Sequence, residues 1–188
     1  MKGKIILAAL VCGAVLMLSG CGNASLDDQF VFGKNRLSCG GETITVEVPF
    51  ELGVGGKMAD LAPKDAEKVN AEGHNKNMQI LVTGERDEGK TPESQAEAAV
   101  ALLKSNGAVK NLNVQKDKIQ VGQGNGVRLT FAFTDTEKGR ETNLTVKEYI
   151  FRQNHTFWRV IYQYRTDDPI GKALAERVEG KIVMGATF

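Results

Sequence analysis

Apolar and polar side chains alternate through residues 43–48, where Ile44, Val46 and Val48 share one face before Pro49. That period of two predicts a half-buried strand. The short apolar piece Phe30-Val31-Phe32 predicts another strand before it. Residues 78–84 have a continuous apolar centre and predict a strand covered on both faces. Residues 50–77 are the least patterned: Gly53, Gly55 and Gly56 predict a loop, and residues 64–71, after Pro63, predict one or two helical turns.

The later chain is more regular. Leu112, Val114, Ile119 and Val121 predict a strand over 111–121, interrupted near Lys116-Asp117. Residues 127–133 set Val127, Leu129, Phe131 and Phe133 on one face. Residues 143–152 set Leu144, Val146 and Ile150 against Tyr149 and Phe151. Residues 156–165 set Trp158, Val160, Tyr162 and Tyr164 against Phe157 and Ile161. Short, polar, glycine-bearing connections make these a meander of antiparallel hairpins.

Two segments carry the helical period. Thr91-Pro92-Glu93 opens the first with a cap, a first-turn proline and an acid at the positive end. Ala96, Ala99, Val100 and Leu103 give its apolar stripe, and Gly107 ends it. Asp168-Pro169 opens the second, with Ile170, Leu174, Val178 and Ile182 every four residues. Gly180 within it costs about 1 kcal/mol relative to alanine. The expected fold class is α+β: an antiparallel β-sheet with two main helices packed on it.

The first residues read differently. Lys2 and Lys4 precede an almost wholly apolar run over residues 5–18. It is shorter than the span of about 20 apolar residues that crosses a bilayer. A basic start, a short apolar run and small residues after it predict a secretory signal over 1–20. The run ends in Leu18-Ser19-Gly20-Cys21, which resembles the lipobox of bacterial lipoproteins at all four positions. The resemblance implies diacylglycerol thioether-linked to Cys21, cleavage before it, and acylation of the new amino group with a chain such as palmitate. It places the protein at the cell membrane, lipid-anchored and facing outside the cytoplasm. Residues 21–29 then hold the lipidated cysteine and a tether, in which 22–28 reach about 23 Å when extended, and 30–188 form a single domain.

Composition narrows the function classes. The 188 residues are 41% apolar and 25% charged, with a formal charge of +1. Loss of Lys2 and Lys4 with the signal turns that charge to −1. Neither value supplies the basic excess that neutralises phosphates, so no nucleic acid is expected as partner. Of the three cysteines, Cys12 leaves with the signal and Cys21 is consumed by lipid. Cys39, in the turn-like stretch Leu37–Gly41, is then a small half-buried residue or the source of an intermolecular disulfide or redox role.

The element order, the opening TITVEVPFELG and the middle and terminal helices resemble the PsbP-like fold, which includes the bacterial DcrB-like lipoproteins. The resemblance covers about residues 30–185. It implies a fold and an envelope setting and carries no catalytic residues or metal ligands.

Candidate chemistry is sparse. Gly122-Gln123-Gly124-Asn125-Gly126 leads into a strand, so it lacks the helix terminus of a phosphate loop and reads as a hairpin turn. His74 and His155 lie in no metal-ligand spacing and read as solvated surface residues, so neither metal nor cofactor is expected. Asp135, Glu137 and Glu141 do not fit a calcium loop and read as a charged turn. No serine lies in a Gly-x-Ser-x-Gly or Ser-x-x-Lys motif, so no catalytic residue is named. Trp158, Tyr162, Tyr164 and Tyr149 form the one aromatic group, suited to core packing or to a binding surface. The expected function is a non-catalytic envelope module that binds a protein or small ligand. The expected contact surface is the 50–77 loop and the nearby sheet rim. An envelope enzyme with a scattered site, and capture of a small ligand or metal, stand as alternatives.

Overall fold

A computed structural model describes residues 25–54, 57–58, 66–87, 89–137 and 139–185. The signal, Leu18–Cys21 and Pro63 lie outside the described residues. Contacts divide the chain into a unit ending at Val31 and a second from Phe32 onward. In the first, Ser25 caps the one-turn helix α1 (Leu26–Gln29). The Asp28 carboxylate accepts from the Ser25 amide at 3.0 Å and its hydroxyl at 2.8 Å, which holds that carboxyl below its ordinary range. A helix rises about 1.5 Å per residue, so α1 shortens the reach expected of a fully extended tether.

The second unit begins with the hairpin β1 (Gly33–Cys39) and β2 (Glu42–Val48). Strands β3 (Gly53–Val54), β4 (Lys57–Met58), β5 (Lys68–His74) and β6 (Met78–Arg86) follow. Helix α2 (Pro92–Ser105) leads to the meander β7 (Val109–Val121), β8 (Gly124–Glu137), β9 (Arg140–Gln153) and β10 (Thr156–Arg165). Helix α3 (Pro169–Val178) and β11 (Ile182–Met184) end it. Among the described residues there are two antiparallel sheets, ordered β1-β2-β11 and β4-β3-β5-β6-β10-β9-β8-β7. The fold is α+β, dominated by antiparallel sheet.

The large sheet is covered differently on its two faces. On one, Val127, Leu129, Phe131, Val146, Ile150 and Phe157 form a core with Ala96 of α2. On the other, Trp158, Val160, Tyr162 and Tyr164 are buried under α3 and the small sheet, which contribute Leu174, Ala175, Val178, Ile44 and Val46. Gly84 is required here: a Cβ on it would stand 2.6 Å from the Trp158 ring.

Five local expectations are corrected. Phe30–Phe32 is not strand; pairing starts at Gly33, opposite Val48. Residues 68–71 are not helical but lie in β5, where Val69 and Ala71 alternate into the core. Strand β7 is unbroken at Lys116-Asp117, because an exposed edge strand tolerates charge; its irregularity lies between Lys110 and Asn113, with Asn111 at φ 53°. Helix α3 stops at Val178, Gly180 turns the chain at φ +74°, and Ile182 buries itself from β11 opposite Val46. Strand β6 buries Met78, Ile80 and Val82, but Gln79, Leu81 and Thr83 point to a face only partly covered. Among the described residues no helix is long and apolar enough to cross a membrane.

Candidate functional site

Helix α2 rests on β7, β8 and β9, and on the neighbouring strands of that face Thr83, Glu85 and Arg159 are half-buried while Lys68 and Asn70 are exposed. The register of those strands then lays out a groove. Lys68 of β5 faces Glu85 of β6, which faces Phe157 of β10; in the next row Asn70 faces Thr83, which faces Arg159. These two rows and Gln95 of α2 enclose about 400 Å³. Capping puts Gln95 there: the Thr91 hydroxyl accepts from the Ser94 amide at 3.1 Å and Ser94 reciprocates at 3.2 Å, which starts α2 beside β6.

The groove adjoins a buried charge. Glu148 lies mid-strand in β9, between Leu129 of β8 and Ile161 of β10, with Val146 and Ile150 two residues away on either side. It is 3% exposed. A carboxylate in such surroundings needs a partner, and Arg159 Nε donates to Glu148 Oε1 at 2.6 Å. The Arg159 side chain remains 35% exposed and lines the groove.

A second network frames the rim. Glu85 is in ion-pair contact with Lys90 and lies 3.8 Å from Lys68. Lys90 also approaches Asp87 at 3.2 Å. The Glu85 hydrogen bond is the main cause that raises the Lys90 ammonium above its ordinary range. The amides of Gly89 and Lys90 hold the Asp87 carboxyl below its ordinary range.

The expected aromatic surface is closed. Trp158, Tyr162, Tyr149 and Tyr164 are all buried, and Tyr149 meets Tyr162 edge to face with ring centres 5.8 Å apart. All four lie on the face covered by α3 and the small sheet, so the group forms a core floor and no open surface. Burial raises the hydroxyl pKa of Tyr149 and Tyr162 far above the usual phenol range. Glu179, capping α3, accepts from Lys147 at 2.7 Å and pairs with Arg128, which also holds Asp117 at 3.0 Å. Burial opposes ionisation of Glu179, yet Lys147 and Arg128 outweigh it and keep its carboxyl below the ordinary value.

Other sequence candidates fall as follows. Gly122 and Gln123 form the hairpin turn from β7 to β8, and Gly124–Gly126 are already paired in β8. Cys39 is buried at the end of β1, and burial pushes its thiol pKa up. His74 and His155 are exposed. Glu141 pairs with Lys110 at 3.0 Å. No group of three metal-ligating side chains converges among the described residues.

Sequence reasoning missed Glu148 and Arg159. A signal was present: each breaks an apolar alternation, Leu144-Val146-Glu148-Ile150 and Phe157-Arg159-Ile161, with opposite charge. Such paired breaks on adjacent strands mark an internal ion pair.

No protein-family model matches the chain, and no curated protein matches it. Solved structures overlap it at low similarity. LpqN of Mycobacterium tuberculosis, described as involved in cell envelope biogenesis, gives a TM-score of 0.48 at 9% identity, over 87% of this chain and 99% of that one. The Pseudomonas aeruginosa protein PA94, described as a putative regulator of unknown function, gives 0.44 at 9% identity, over 73% of this chain and 100% of that one. The Saccharomyces cerevisiae Ran-binding protein Mog1p gives 0.44 at 14% identity, over 81% and 95%. At these values the overlaps transfer neither activity nor partner to this chain.

Proposed function

We propose that this chain is a lipid-anchored, non-catalytic binding module at the cell membrane, facing outside the cytoplasm. The observation that carries this is Leu18-Ser19-Gly20-Cys21 behind the apolar run of residues 5–18. Acyl chains on Cys21 hold the protein to the membrane because each buried methylene contributes about 0.8 kcal/mol. The PsbP-like relationship, resting on element order, is part of the same proposal.

The groove beside α2 is the binding surface of this module. It takes Lys68, Val69 and Asn70 from the 50–77 segment. Binding over turnover is supported by how its charges are held: Arg159 on Glu148, and Lys90 and Lys68 near Glu85. Among the described residues its lining includes neither histidine nor cysteine.

The test is photo-crosslinking in cells from a benzophenone side chain at Gln95, with the same group at exposed Lys116 as control. A membrane-localised adduct from Gln95 and none from Lys116 supports the proposal. Turnover of an envelope substrate by the purified chain, abolished by Glu85→Gln, overturns the non-catalytic part.

A further inference from the structure

We infer that the groove beside α2 is an oxyanion site, anchored by the Arg159 guanidinium and taking a carboxylate or phosphate group of a small ligand. This deepens the groove's role as binding surface and is independent of the lipid anchor.

The first support is the state of Arg159. Its Nε is engaged by Glu148. Among the described residues Glu148 is the partner of the guanidinium, and the side chain lines the groove, which leaves its two amino groups with four N–H donors for a ligand. That planar fork matches two oxygens of a carboxylate or phosphate.

The second is Glu148 itself. A buried ion pair can usually be replaced by apolar side chains of similar volume without loss of stability. Leu129, Ile161, Val146 and Ile150 surround Glu148, so an apolar residue would suit that position. Stability therefore does not account for a carboxylate there, whereas positioning does. An acceptor fixed on Nε holds the guanidinium plane in one orientation, and a preset donor loses less entropy on binding.

The third is the remaining lining. The Asn70 and Gln95 amides, the Thr83 hydroxyl and the Lys68 ammonium are all able to donate. Among the described residues Glu85 is the only carboxylate in the lining, and its charge is offset by Lys90 and Lys68. Gln95 also lies near the positive end of α2. About 400 Å³ is room for a small ligand or one terminus of a larger one.

The test is NMR titration of the full chain in detergent micelles. The Arg159 Nε–H and Gln95 side-chain amide signals are followed while sodium acetate or inorganic phosphate is added, against sodium chloride at equal ionic strength. Saturable shifts confined to the groove are expected, and the anion that saturates at lower concentration identifies the source chemistry. Arg159→Lys keeps the charge and removes the fork, and should weaken binding about tenfold. Glu148→Gln combined with Arg159→Gln leaves no unpaired buried charge and should abolish saturation. Shifts equal to those in chloride, or unchanged in both variants, overturn the inference. A Gln95 crosslink without a saturable anion response overturns the oxyanion site alone. Absence of both overturns the binding groove as well.

Discussion

Glu148 and Arg159 bond diagonally across β9 and β10: Glu148 stands opposite Ile161 and Arg159 opposite Ile150, yet Arg159 Nε reaches Glu148 Oε1 at 2.6 Å. One partner is nearly sealed and the other opens on the groove. The pair links the interior of the sheet to the groove beside α2.

Removing one partner should be costly. Arg159→Ala leaves a buried carboxylate without its cation, and a loss of about 3–5 kcal/mol is expected in urea unfolding. Glu148→Leu with Arg159→Leu should come within about 1 kcal/mol of the parent or exceed it. Equal losses in the single and double variants would show that the charge itself is not what matters.

Gly84 lies against the indole of Trp158. Gly84→Ala should destabilise by about 1–3 kcal/mol through overpacking, with a change in tryptophan emission. An unchanged midpoint and spectrum would mean the indole has room to move.

Helix α3 is fastened by its apolar side. Leu174 is fully buried, so Leu174→Ala should cost about 2–5 kcal/mol. Leu102 of α2 is 71% exposed, and Leu102→Ala should change stability by less than about 0.5 kcal/mol. Thermal unfolding of the two variants checks the contrast.

Glu179 ties stability to acid pH. Its folded pKa lies below the ordinary value of 4.5 that applies unfolded. The charged form is therefore favoured by folding. Its stabilisation is fully present above pH 4.5 and is lost as pH falls through the folded value. Glu179→Gln should flatten the acid limb of the stability–pH curve in that window. An acid limb identical to the parent's would assign the effect to other carboxylates.

The meander was legible because each hairpin partner repeats the same two-residue period, from Val127 to Tyr164. The cap of α2 was legible because Thr91, Pro92 and Glu93 act within one turn. Residues 68–74 were not legible: Val69, Ala71 and Gly73 are too small to announce a core face. Ile182 mimicked a fourth helical turn because burial from β11 selects the same residue type. The aromatic floor was legible as a cluster, but a period of two does not tell which face another layer covers. The groove needed the register of β5, β6 and β10, since Asn70, Thr83 and Arg159 are far apart in sequence and adjacent only in the sheet.

The membrane anchor is the central claim, and labelled palmitate tests it most directly. Cells producing the chain should incorporate the label into the protein, and the labelled protein should sediment with membranes. Cys21→Ser should abolish incorporation and release the protein from that fraction. Label retained on the Cys21→Ser chain would contradict the account.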